Sequence, residues 1–393
     1  MRVISNVRAL LMYIGVYIFI KIFRKNDFTD NSNIWFINEK LDEARDNGYS
    51  FYEYMEKLNN NDCIEVRYLI IKGTVDSKKI KDENVIYVGT LKHIYYLLIS
   101  DVLITSQSLP YYGSQQLFKK LKFLHKGNQK KIWLQHGVIK DRIPYATMKY
   151  SHNYYDMVSC TNYLEKEFIS KYYDYPENVL KVVGLCRYDN LLDVNKNCRN
   201  ILIMPTYRKW LSKLSVIDFE KTDFFKKYLL LLNDAKLLKL LEKENIKIVF
   251  YPHYALQKYI DSFKKALVCS DNVILASKEK HDVQELLKMC QILITDYSSV
   301  AFDFAYQKKP VIYYQFDGEK YASGHYGQGY FCYDKDGFGP VVHNTNELIS
   351  FVIDYEKNGM SGIYQEKVDH FFEYRDTKNC ERTYSSILKL LEK

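Results

Sequence analysis

The sequence lacks the cysteine patterns of metal-binding and exported proteins. Its eight cysteines are scattered, with no CxxC pair and no histidine nearby at the spacing of a zinc site. We therefore expect reduced, mostly buried thiols in a cytoplasmic protein. An acidic triplet of the kind that holds Mg²⁺ is also missing, so we expect no tightly bound metal or cofactor. Short-period repeats and low-complexity tracts are absent, which excludes a repeat protein.

The sequence has no hydrophobic run as long as an ordinary transmembrane helix. The apolar run at residues 9–20 (ALLMYIGVYIFI) covers about 18 Å as a helix, against a hydrocarbon core of about 30 Å. No small-residue cleavage site follows it, which argues against a signal peptide. Arginines and lysines flank the run, so we predict that residues 1–30 form a membrane-associating segment whose helix lies in the cytoplasmic leaflet. The alternatives are a transmembrane anchor and a buried core helix.

Composition and charge indicate a globular protein with a modest positive charge. The 393 residues are enough for two domains, their apolar content of 47% is ordinary, and the formal net charge is +8. That charge fits a protein that meets anionic lipids or phosphorylated substrates, and it also fits a solvated surface. The lysine-rich stretch at residues 119–131 has the same two interpretations. We predict no nucleic-acid partner.

Short apolar runs that alternate with helical patterns predict a parallel, doubly wound sheet in each half of the chain. A polar segment at residues 193–200 is interpreted as the linker. We therefore predict an α/β protein with Rossmann-like domains at residues 31–195 and 196–393. One long helix is predicted at residues 225–243, and a terminal helix at residues 384–392. The predicted strands are 32–38, 65–71, 85–88, 102–106, 131–134, 157–160 and 179–184 in the first half, and 201–204, 246–250, 273–275, 291–295 and 310–314 in the second.

The stretch at residues 291–314 is the clearest unit of the second half. A buried strand at residues 291–295 is followed by a turn at Asp296 to Ser298 and by a helix that starts near Ser299. The first turn of a helix presents amides without intrahelical partners at the positive end of the macrodipole, which suits a phosphate. Serines at this place are also common as simple helix caps. The unit alone therefore leaves phosphate binding and capping as equal alternatives.

Two histidines lie directly after predicted strands, one in each half. His136 follows the strand at 131–134, with Gly137 after it, and His253 follows the strand at 246–250. Ligands of open α/β sheets bind at the carboxyl edge, so both positions indicate catalysis, although a lone histidine is more often structural. Charged residues lie near these strand ends: Lys140, Asp141 and Arg142 in the first half and Arg208 in the second. Arg208 is interpreted as an anion contact, with an ordinary surface arginine as the alternative.

Several motifs together resemble the CDP-glycerol glycerophosphotransferase family, the teichoic acid primases and polymerases. They are QHG at residues 135–137, PTYR at 205–208, YPH at 251–253 and ITDYSSVAFDFAYQKKPVIYY at 294–314. The stretches ARDNGY at 44–49 and GLCRYDNL at 184–191 are further landmarks, so the resemblance extends from about residue 33 to about residue 355. The order and spacing of these motifs are more specific than any one of them.

The resemblance implies a GT-B fold, with the two Rossmann-like domains facing a central cleft, in an enzyme at the cytoplasmic face of the membrane. It implies transfer of a polyol phosphate, with glycerol phosphate foremost, from a CDP-activated donor such as CDP-glycerol to a lipid-linked or polymeric acceptor in teichoic acid or capsule synthesis. The first domain would bind the acceptor and the second the CDP donor. The matched catalytic positions are His136, as the base, and His253. The matched donor-binding positions are Arg208, Asp296, Ser298, Ser299 and Asp303, and the acceptor or rim positions are Gly137, Lys140 and Asp141.

Two departures from the family pattern bear on the acceptor and on the polyol. Val138 and Ile139 precede Lys140 where many members read TPLK, and Cys186 stands where proline is usual. A GT-B glycosyltransferase or epimerase that uses a nucleotide sugar shares the fold and is one alternative. A catalytically silent scaffold that binds an anionic membrane polymer is another.

Overall fold

Strands and helices alternate along nearly the whole chain in the computed structural model, as the sequence pattern predicts. The structure describes residues 2–28, 33–58, 64–192, 199–269, 271–324 and 327–392. The predicted linker at 193–200 lies mostly outside the described residues. The chain divides into two units. The first consists of Met1–His136, Lys149–Asp189 and Asp376–Lys393, and the second of Gly137–Met148 and Asn190–Arg375.

Seven parallel strands form the sheet of the first unit: β1 (Asn33–Asn38), β2 (Ile64–Ile70), β3 (Val85–Tyr87), β4 (Val102–Thr105), β5 (Lys130–Trp133), β6 (Met157–Cys160) and β7 (Leu180–Val182). Their order is β3-β2-β1-β4-β5-β6-β7, so the direction of winding reverses between β1 and β4. All four residues of β4 are buried. Such continuous apolar strands are typical of doubly wound sheets, because helices cover both faces.

The helices of the first unit connect these strands or lie at the ends of the chain. They are α1 (Arg2–Phe23), α2 (Asn47–Lys57), α3 (Leu91–Ile99), α4 (Gln115–Lys120), α5 (Tyr150–Asn153), α6 (Tyr163–Tyr173) and the last helix of the chain, α17 (Asn379–Leu391). Short polar side chains begin three of them. Thr90 accepts an N–H of α3, Ser114 one of α4 and Asn162 one of α6.

Six parallel strands form the sheet of the second unit: β8 (Asn200–Ile203), β9 (Ile248–Phe250), β10 (Val273–Leu275), β11 (Cys290–Thr295), β12 (Val311–Tyr314) and β13 (Val341–Val342). Their order is β10-β9-β8-β11-β12-β13, with the reversal between β8 and β11. The helices are α7 (Val216–Glu220), α8 (Asp223–Leu232), α9 (Ala235–Glu244), α10 (Ile260–Ala266), α11 (Val283–Met289), α12 (Val300–Tyr306), α13 (Gly318–Gly324), α14 (Tyr333–Asp336), α15 (Thr345–Asn358) and α16 (Gly362–Phe371). The predicted β-α-β unit is present as β11, α12 and β12.

The prediction of a single long helix at residues 225–243 is wrong. Two helices, α8 and α9, occupy this stretch, and the chain breaks at Asn233 and Asp234. The Asp234 carboxylate accepts the N–H groups of Lys236 and Leu237 and caps α9. The Asn233 side chain donates to the carbonyl of Ala266, the last residue of α10, and accepts the N–H of Val268. Because both side chains bond backbone groups outside a continuous helix, they favour the break.

Residues 376–392 belong to the first unit. The predicted division between residues 195 and 196 places them in the second domain instead. The Asp189 carboxylate accepts the N–H groups of Asn379 and Cys380 and so caps α17. Gly184 has a φ of +81°, and a Cβ there would lie 1.8 Å from the side-chain oxygen of Asn379. The terminal helix therefore begins at Asn379, earlier than predicted, and its start is bound by residues from a distant part of the sequence.

The helix α1 packs on the first unit by one face only. The buried residues of that face are Ala9, Tyr13, Val16 and Ile20, at helical spacing. Tyr13 stacks on the ring of His125 at 6.5 Å and meets the ring of Tyr112 edge to face at 6.1 Å. The exposed large apolar residues of α1 are Val7, Leu11, Ile14, Ile18, Phe19, Ile22 and Phe23. By length and composition, residues 6–23 could also cross a membrane.

Candidate active site

His136 lies directly after β5, at the carboxyl edge of the first unit's sheet. Its side chain is 69% exposed, so the ring is accessible to a ligand. Gln135, just before it, has a φ of +61°, and this left-handed conformation costs a residue other than glycine about 1–3 kcal/mol. The Gln135 carbonyl accepts the side chain of Asn47 at 2.8 Å, and the Gln135 side chain donates to the carbonyl of Ser159. These two bonds hold the strained turn that presents His136.

The His136 ring is held by a carboxylate to which the sequence analysis assigns no role. Its Nδ1 lies 2.7 Å from Oδ2 of Asp46, in the loop before α2. The other oxygen of Asp46 accepts Nη1 of Arg187 at 2.7 Å, and the same nitrogen donates to the His136 carbonyl. Burial raises the pKa of Asp46, but the charges of His136 and Arg187 outweigh this effect and lower the pKa to about 2. Asp46 is therefore an anion at neutral pH.

A second buried carboxylate, Glu39, holds the loop that carries Asp46. It accepts the N–H of Arg45 at 2.7 Å, that of Asp46 at 3.1 Å and that of Tyr49 at 3.0 Å. Burial raises the pKa of Glu39, the charge of Asp46 raises it further, and the three amides oppose both effects. The bonds fix the backbone at Asp46 and thereby the position of its side chain.

Three loops lie side by side at the carboxyl edge of the second unit's sheet, where its strand order reverses. Ile203 of β8 pairs with Phe250 of β9 and with Ile294 of β11. Three residues beyond these positions are Thr206, His253 and Tyr297. Ligands of doubly wound sheets bind at such a reversal, so the predicted donor-binding loops share one edge.

Arg208 is buried at this edge between two carboxylates. Its side chain has 0% exposure, and its Nη2 lies 2.9 Å from Oδ2 of Asp296. Its Nε and Nη2 donate to the two oxygens of Asp317, both at 2.9 Å. Burial would lower the pKa of Arg208, but the two carboxylates raise it, so the charge is retained. A guanidinium bound in this way supports the loops, which differs from the direct anion contact predicted from the sequence.

Asp296 joins the ends of β8 and β11. Its Oδ1 accepts the N–H of Thr206 at 2.9 Å, the hydroxyl of Thr206 at 2.5 Å and the N–H of Tyr297 at 2.6 Å. Asp296 is fully buried. Like Arg208, it therefore holds the loops in place and presents no oxygen to solvent.

Ser298 and Ser299, the predicted phosphate contacts, are partly exposed at the start of α12. The hydroxyl of Ser298 accepts the N–H of Val300 at 3.3 Å, while the Ser299 side chain makes no capping bond. Capping therefore accounts for the first serine and leaves the second without that explanation. Asp303 is buried within α12. The binding roles of these residues stay predictions.

His253 follows β9 and is partly exposed. Its Nδ1 accepts the backbone N–H of Ala255 at 3.2 Å. The rings of Tyr207 and Tyr254 lie 5.2 Å and 4.2 Å from its own ring, measured between centroids. Because Nδ1 is an acceptor, the neutral ring carries its proton on Nε2 and can donate it to an anion.

Gly137, Lys140 and Asp141 belong to the second unit, although the sequence-based division places them in the first domain. The chain leaves the first unit directly after His136. Lys140 is 4% exposed, pairs with Asp141, and lies 5.2 Å from the ring centre of Tyr333. Burial lowers the pKa of Lys140, and Asp141 opposes this effect. Lys140 is thus a buried member of an ion pair and not the open rim residue that the sequence predicts.

Four charged residues of these arrangements were not predicted from the sequence: Asp46, Arg187, Asp317 and Glu39. The first two lie in ARDNGY and GLCRYDNL, so those landmarks were the signal that could have found them. Asp317 follows β12 without any motif. In the part of the chain that the structure describes, no group of three or more His, Cys, Asp or Glu residues could hold a metal ion.

Doubly wound parallel sheets bind nucleotides and other ligands at their carboxyl edge, and each unit has a histidine at that edge. The sequence model of the family CDP-Glycerol:Poly(glycerophosphate) glycerophosphotransferase matches residues 18–389. The chain belongs to this family, which confirms the resemblance drawn from its motifs. The Minor teichoic acid biosynthesis protein GgaB of Bacillus subtilis (strain 168) is 33% identical over 91% of this chain and 40% of its own length. The chain thus spans less than half of that relative.

Solved structures show the same fold. The wall teichoic acid polymerase TagF superposes with a TM-score of 0.70 at 20% identity, over 100% of this chain and 98% of its own. The UDP-GlcNAc 2-epimerase from Neisseria meningitidis, bound to UDP-GlcNAc, superposes with a TM-score of 0.53 at 12% identity, over 91% of this chain and 100% of its own. These likenesses confirm the α/β architecture with parallel sheets.

Proposed function

We propose that this chain transfers a polyol phosphate, glycerol phosphate foremost, from a CDP-activated donor to a hydroxyl of a lipid-linked or polymeric acceptor. CMP is released, and the product belongs to teichoic acid or capsule synthesis. The observation that carries the proposal is the exposed His136, bound by an ionised carboxylate at a sheet edge, in a chain of this family. The proposal includes a GT-B organisation in which the first unit binds the acceptor and the second the donor.

In the first unit, His136 acts as the general base on the acceptor. The acceptor oxygen attacks the β-phosphorus of the donor in line, and its proton passes to Nε2 of His136. A new oxygen–phosphorus bond forms while the bond from the β-phosphorus to the bridging oxygen breaks. That oxygen leaves with CMP, so atoms and charge balance without a further reactant.

In the second unit, partly exposed groups at the sheet edge stabilise the diphosphate. Ser298 and Ser299 bind it, and His253 donates its Nε2 proton as a hydrogen bond to the charge that develops on the departing CMP. Arg208 and Asp296 act indirectly, because they hold the loops that carry these groups. The CDP-activated substrate is therefore bound by uncharged hydrogen-bond donors. These lie on loops whose buried charged side chains are already paired with one another.

The proposed reaction is tested by nucleotide release with parallel donors. The purified chain is incubated with a lipid-linked acceptor and CDP-glycerol, CDP-ribitol or UDP-N-acetylglucosamine, and the released nucleotides are separated. We expect CMP from a CDP-polyol at a rate at least about tenfold above UDP release, because attack on the β-phosphorus of a CDP-polyol releases CMP, whereas UDP release requires attack on the sugar carbon. The faster of the two CDP-polyols identifies the donor.

Two other outcomes would overturn this proposal. UDP release without CMP would support the nucleotide-sugar enzyme, and the fold would then be preserved with a different reaction. Binding of the acceptor polymer without release of any nucleotide would support the silent scaffold.

We further propose that the protein lies on the cytoplasmic face of the membrane through the exposed face of α1. One face of α1 packs on the folded first unit, and the other is exposed and apolar, which suits a helix that lies in the membrane interface. Tyr13 of α1 stacks on His125, which lies in the lysine-rich segment 119–131. Phe123 of that segment is 75% exposed among exposed lysines. Neighbouring apolar and basic side chains suit an anionic lipid surface.

Replacing Leu11 and Ile18 together with serine should weaken membrane binding about tenfold or more, since both lose apolar surface that lipid would cover. Cosedimentation with phosphatidylglycerol vesicles measures the effect. The matched control is Ile217→Ser with Val268→Ser, which alters two similarly exposed apolar residues of the second unit and should bind as the unaltered protein does. An equal loss in both pairs, or no loss in the first, would contradict the proposal.

A further inference from the structure

The surroundings of His136 use the two sequence landmarks to which the proposed function assigns no role. ARDNGY supplies Asp46 and Asn47, and GLCRYDNL supplies Arg187. We call these three residues the histidine cradle. Asn47 donates to the Gln135 carbonyl at 2.8 Å and accepts the N–H of Arg187 at 3.0 Å. The loops after β1, β5 and β7 are thereby joined around one exposed ring.

We propose that Asp46, held by Arg187, is the positioning residue that keeps the neutral His136 ring protonated on Nδ1 and leaves the lone pair on Nε2 for the acceptor. This inference rests on the proposed function of His136 as the base. It adds what sets the state of that base, and it assigns the role to residues outside the family motifs that carry the chemistry.

The hydrogen-bond chemistry of the cradle decides the tautomer. A carboxylate only accepts hydrogen bonds, so the 2.7 Å contact with Asp46 places the ring proton on Nδ1. The lone pair of the neutral ring is then on Nε2, where a general base needs it. His253 shows the opposite arrangement, because its Nδ1 accepts an N–H from Ala255 and its proton is on Nε2. The two histidines are therefore prepared for opposite tasks, one to take a proton and one to donate a hydrogen bond.

Arg187 keeps Asp46 in the acceptor state. Its side chain is 7% exposed, and its Nη1 lies 2.7 Å from the Asp46 oxygen that does not contact His136. The same nitrogen binds the His136 carbonyl, so one guanidinium orients both the carboxylate and the backbone of the base. A neutral Asp46 would donate a proton in place of accepting one, and the buried cation prevents that state.

The other titratable groups that face Asp46 are Glu39, from the loop after β1, and Tyr68, on β2. Burial raises the pKa of each, and the charge of Asp46 adds to this effect. When His136 takes the proton of the acceptor, the imidazolium pairs with the Asp46 carboxylate. Asp46 thus stabilises the charge that arises during the reaction as well as the tautomer that precedes it.

Asp46→Asn tests the inference because it exchanges an acceptor for a donor without changing the size of the side chain. The asparagine oxygen can still accept from Arg187, and its amide then donates to Nδ1 and moves the ring proton to Nε2. We expect kcat for CMP release to fall about a hundredfold with KM for CDP-glycerol changed less than about threefold. The acidic limb of the pH profile should move to lower pH, because the imidazolium loses its anion.

Nitrogen-15 NMR of the histidine-labelled chain supplies a measurement that does not depend on activity. The His136 ring, assigned by comparison with His136→Ala, should be protonated on Nδ1 in the unaltered protein and on Nε2 in Asp46→Asn. Asp174→Asn is the matched control, since Asp174 pairs with Lys149 in the same unit and is 67% exposed. It should leave kcat and the His136 signals unchanged.

Each outcome separates the inference from the proposed function. Normal CMP release by His136→Ala would overturn the base assignment and the inference with it. A second result would overturn the inference but not the proposed function. In it, His136→Ala is inactive, while Asp46→Asn stays active and keeps the His136 ring proton on Nδ1. Asp46→Glu keeps the negative charge, so its kcat should be at least about tenfold above that of Asp46→Asn, and its His136 ring should be protonated on Nδ1. If Asp46→Asn does not fold, Asp46→Glu is sufficient as a test, because a His136 ring protonated on Nε2 in that variant overturns the inference.

Discussion

Replacing His136 with alanine should lower the rate of CMP release at least about thousandfold, because the acceptor hydroxyl loses the group that takes its proton. Binding of CDP-glycerol should change little, since in our proposal the donor contacts lie in the second unit. The ring is 69% exposed, so the variant should also keep its thermal stability. Nucleotide release, donor binding by calorimetry and thermal unfolding measure these three properties.

The control for this experiment is another exposed histidine. His370 lies on α16, and its Nδ1 bonds the carbonyl of Glu366, one turn earlier in the same helix, at 2.7 Å. His370→Ala should retain near-normal turnover. Near-normal turnover by His136→Ala as well would remove the base from the mechanism, whereas a parallel loss of donor binding would move His136 to a binding role.

Replacing Arg208 with methionine should destabilise the second unit by about 3–5 kcal/mol, because the change leaves two buried carboxylates, Asp296 and Asp317, without their cation. For a unit of this size, that loss corresponds to a fall of roughly 10 °C in the midpoint of its thermal transition. Calorimetry of the whole chain is the suitable measurement, since chains with two units need not unfold in one step.

Arg199→Met is the matched control for Arg208→Met. Arg199 also pairs with two carboxylates, those of Glu244 and Glu356, but its side chain is 51% exposed. Water can therefore replace its contacts, and its loss should shift the transition far less. Equal shifts in both variants would contradict the supporting role of Arg208. A stable Arg208→Met that no longer binds CDP-glycerol would restore the direct anion contact predicted from the sequence.

The strand-helix-strand unit from β11 to β12 shows where local patterns succeed. Its apolar runs are buried on both faces, so burial and sequence pattern coincide, and the predicted strand at 291–295 matches Cys290–Thr295 closely. The helix predicted at 225–243 shows where such patterns fail. Apolar periodicity continues across Asn233 and Asp234, but the Asp234 side chain caps α9 through the N–H of Lys236, and the Asn233 side chain bonds backbone groups of Ala266 and Val268. A window of helical periodicity does not register such bonds.

The candidate site divides in the same way. Both histidines could be placed at strand ends because strand and loop are adjacent in sequence. The burial of Arg208 could not be predicted, since it depends on Asp317, which is 109 residues away. The partner of His136 could not either, because Asp46 precedes it by 90 residues. A motif identifies residue types, while a hydrogen bond depends on distance and direction.

By itself, the sequence determined that this is an α/β chain with parallel sheets, that it belongs to the glycerophosphotransferase family, and that His136 and His253 follow strands. Periodicity and motifs are local, and burial of apolar strands follows from them directly. Only the tertiary structure decided that Asp46 and Arg187 bind His136 and that Arg208 is a buried support. It also decided that residues 137–148 belong to the second unit and residues 376–392 to the first. These features depend on which distant charges meet in a low-dielectric interior, where a buried ion is stable only beside its partner.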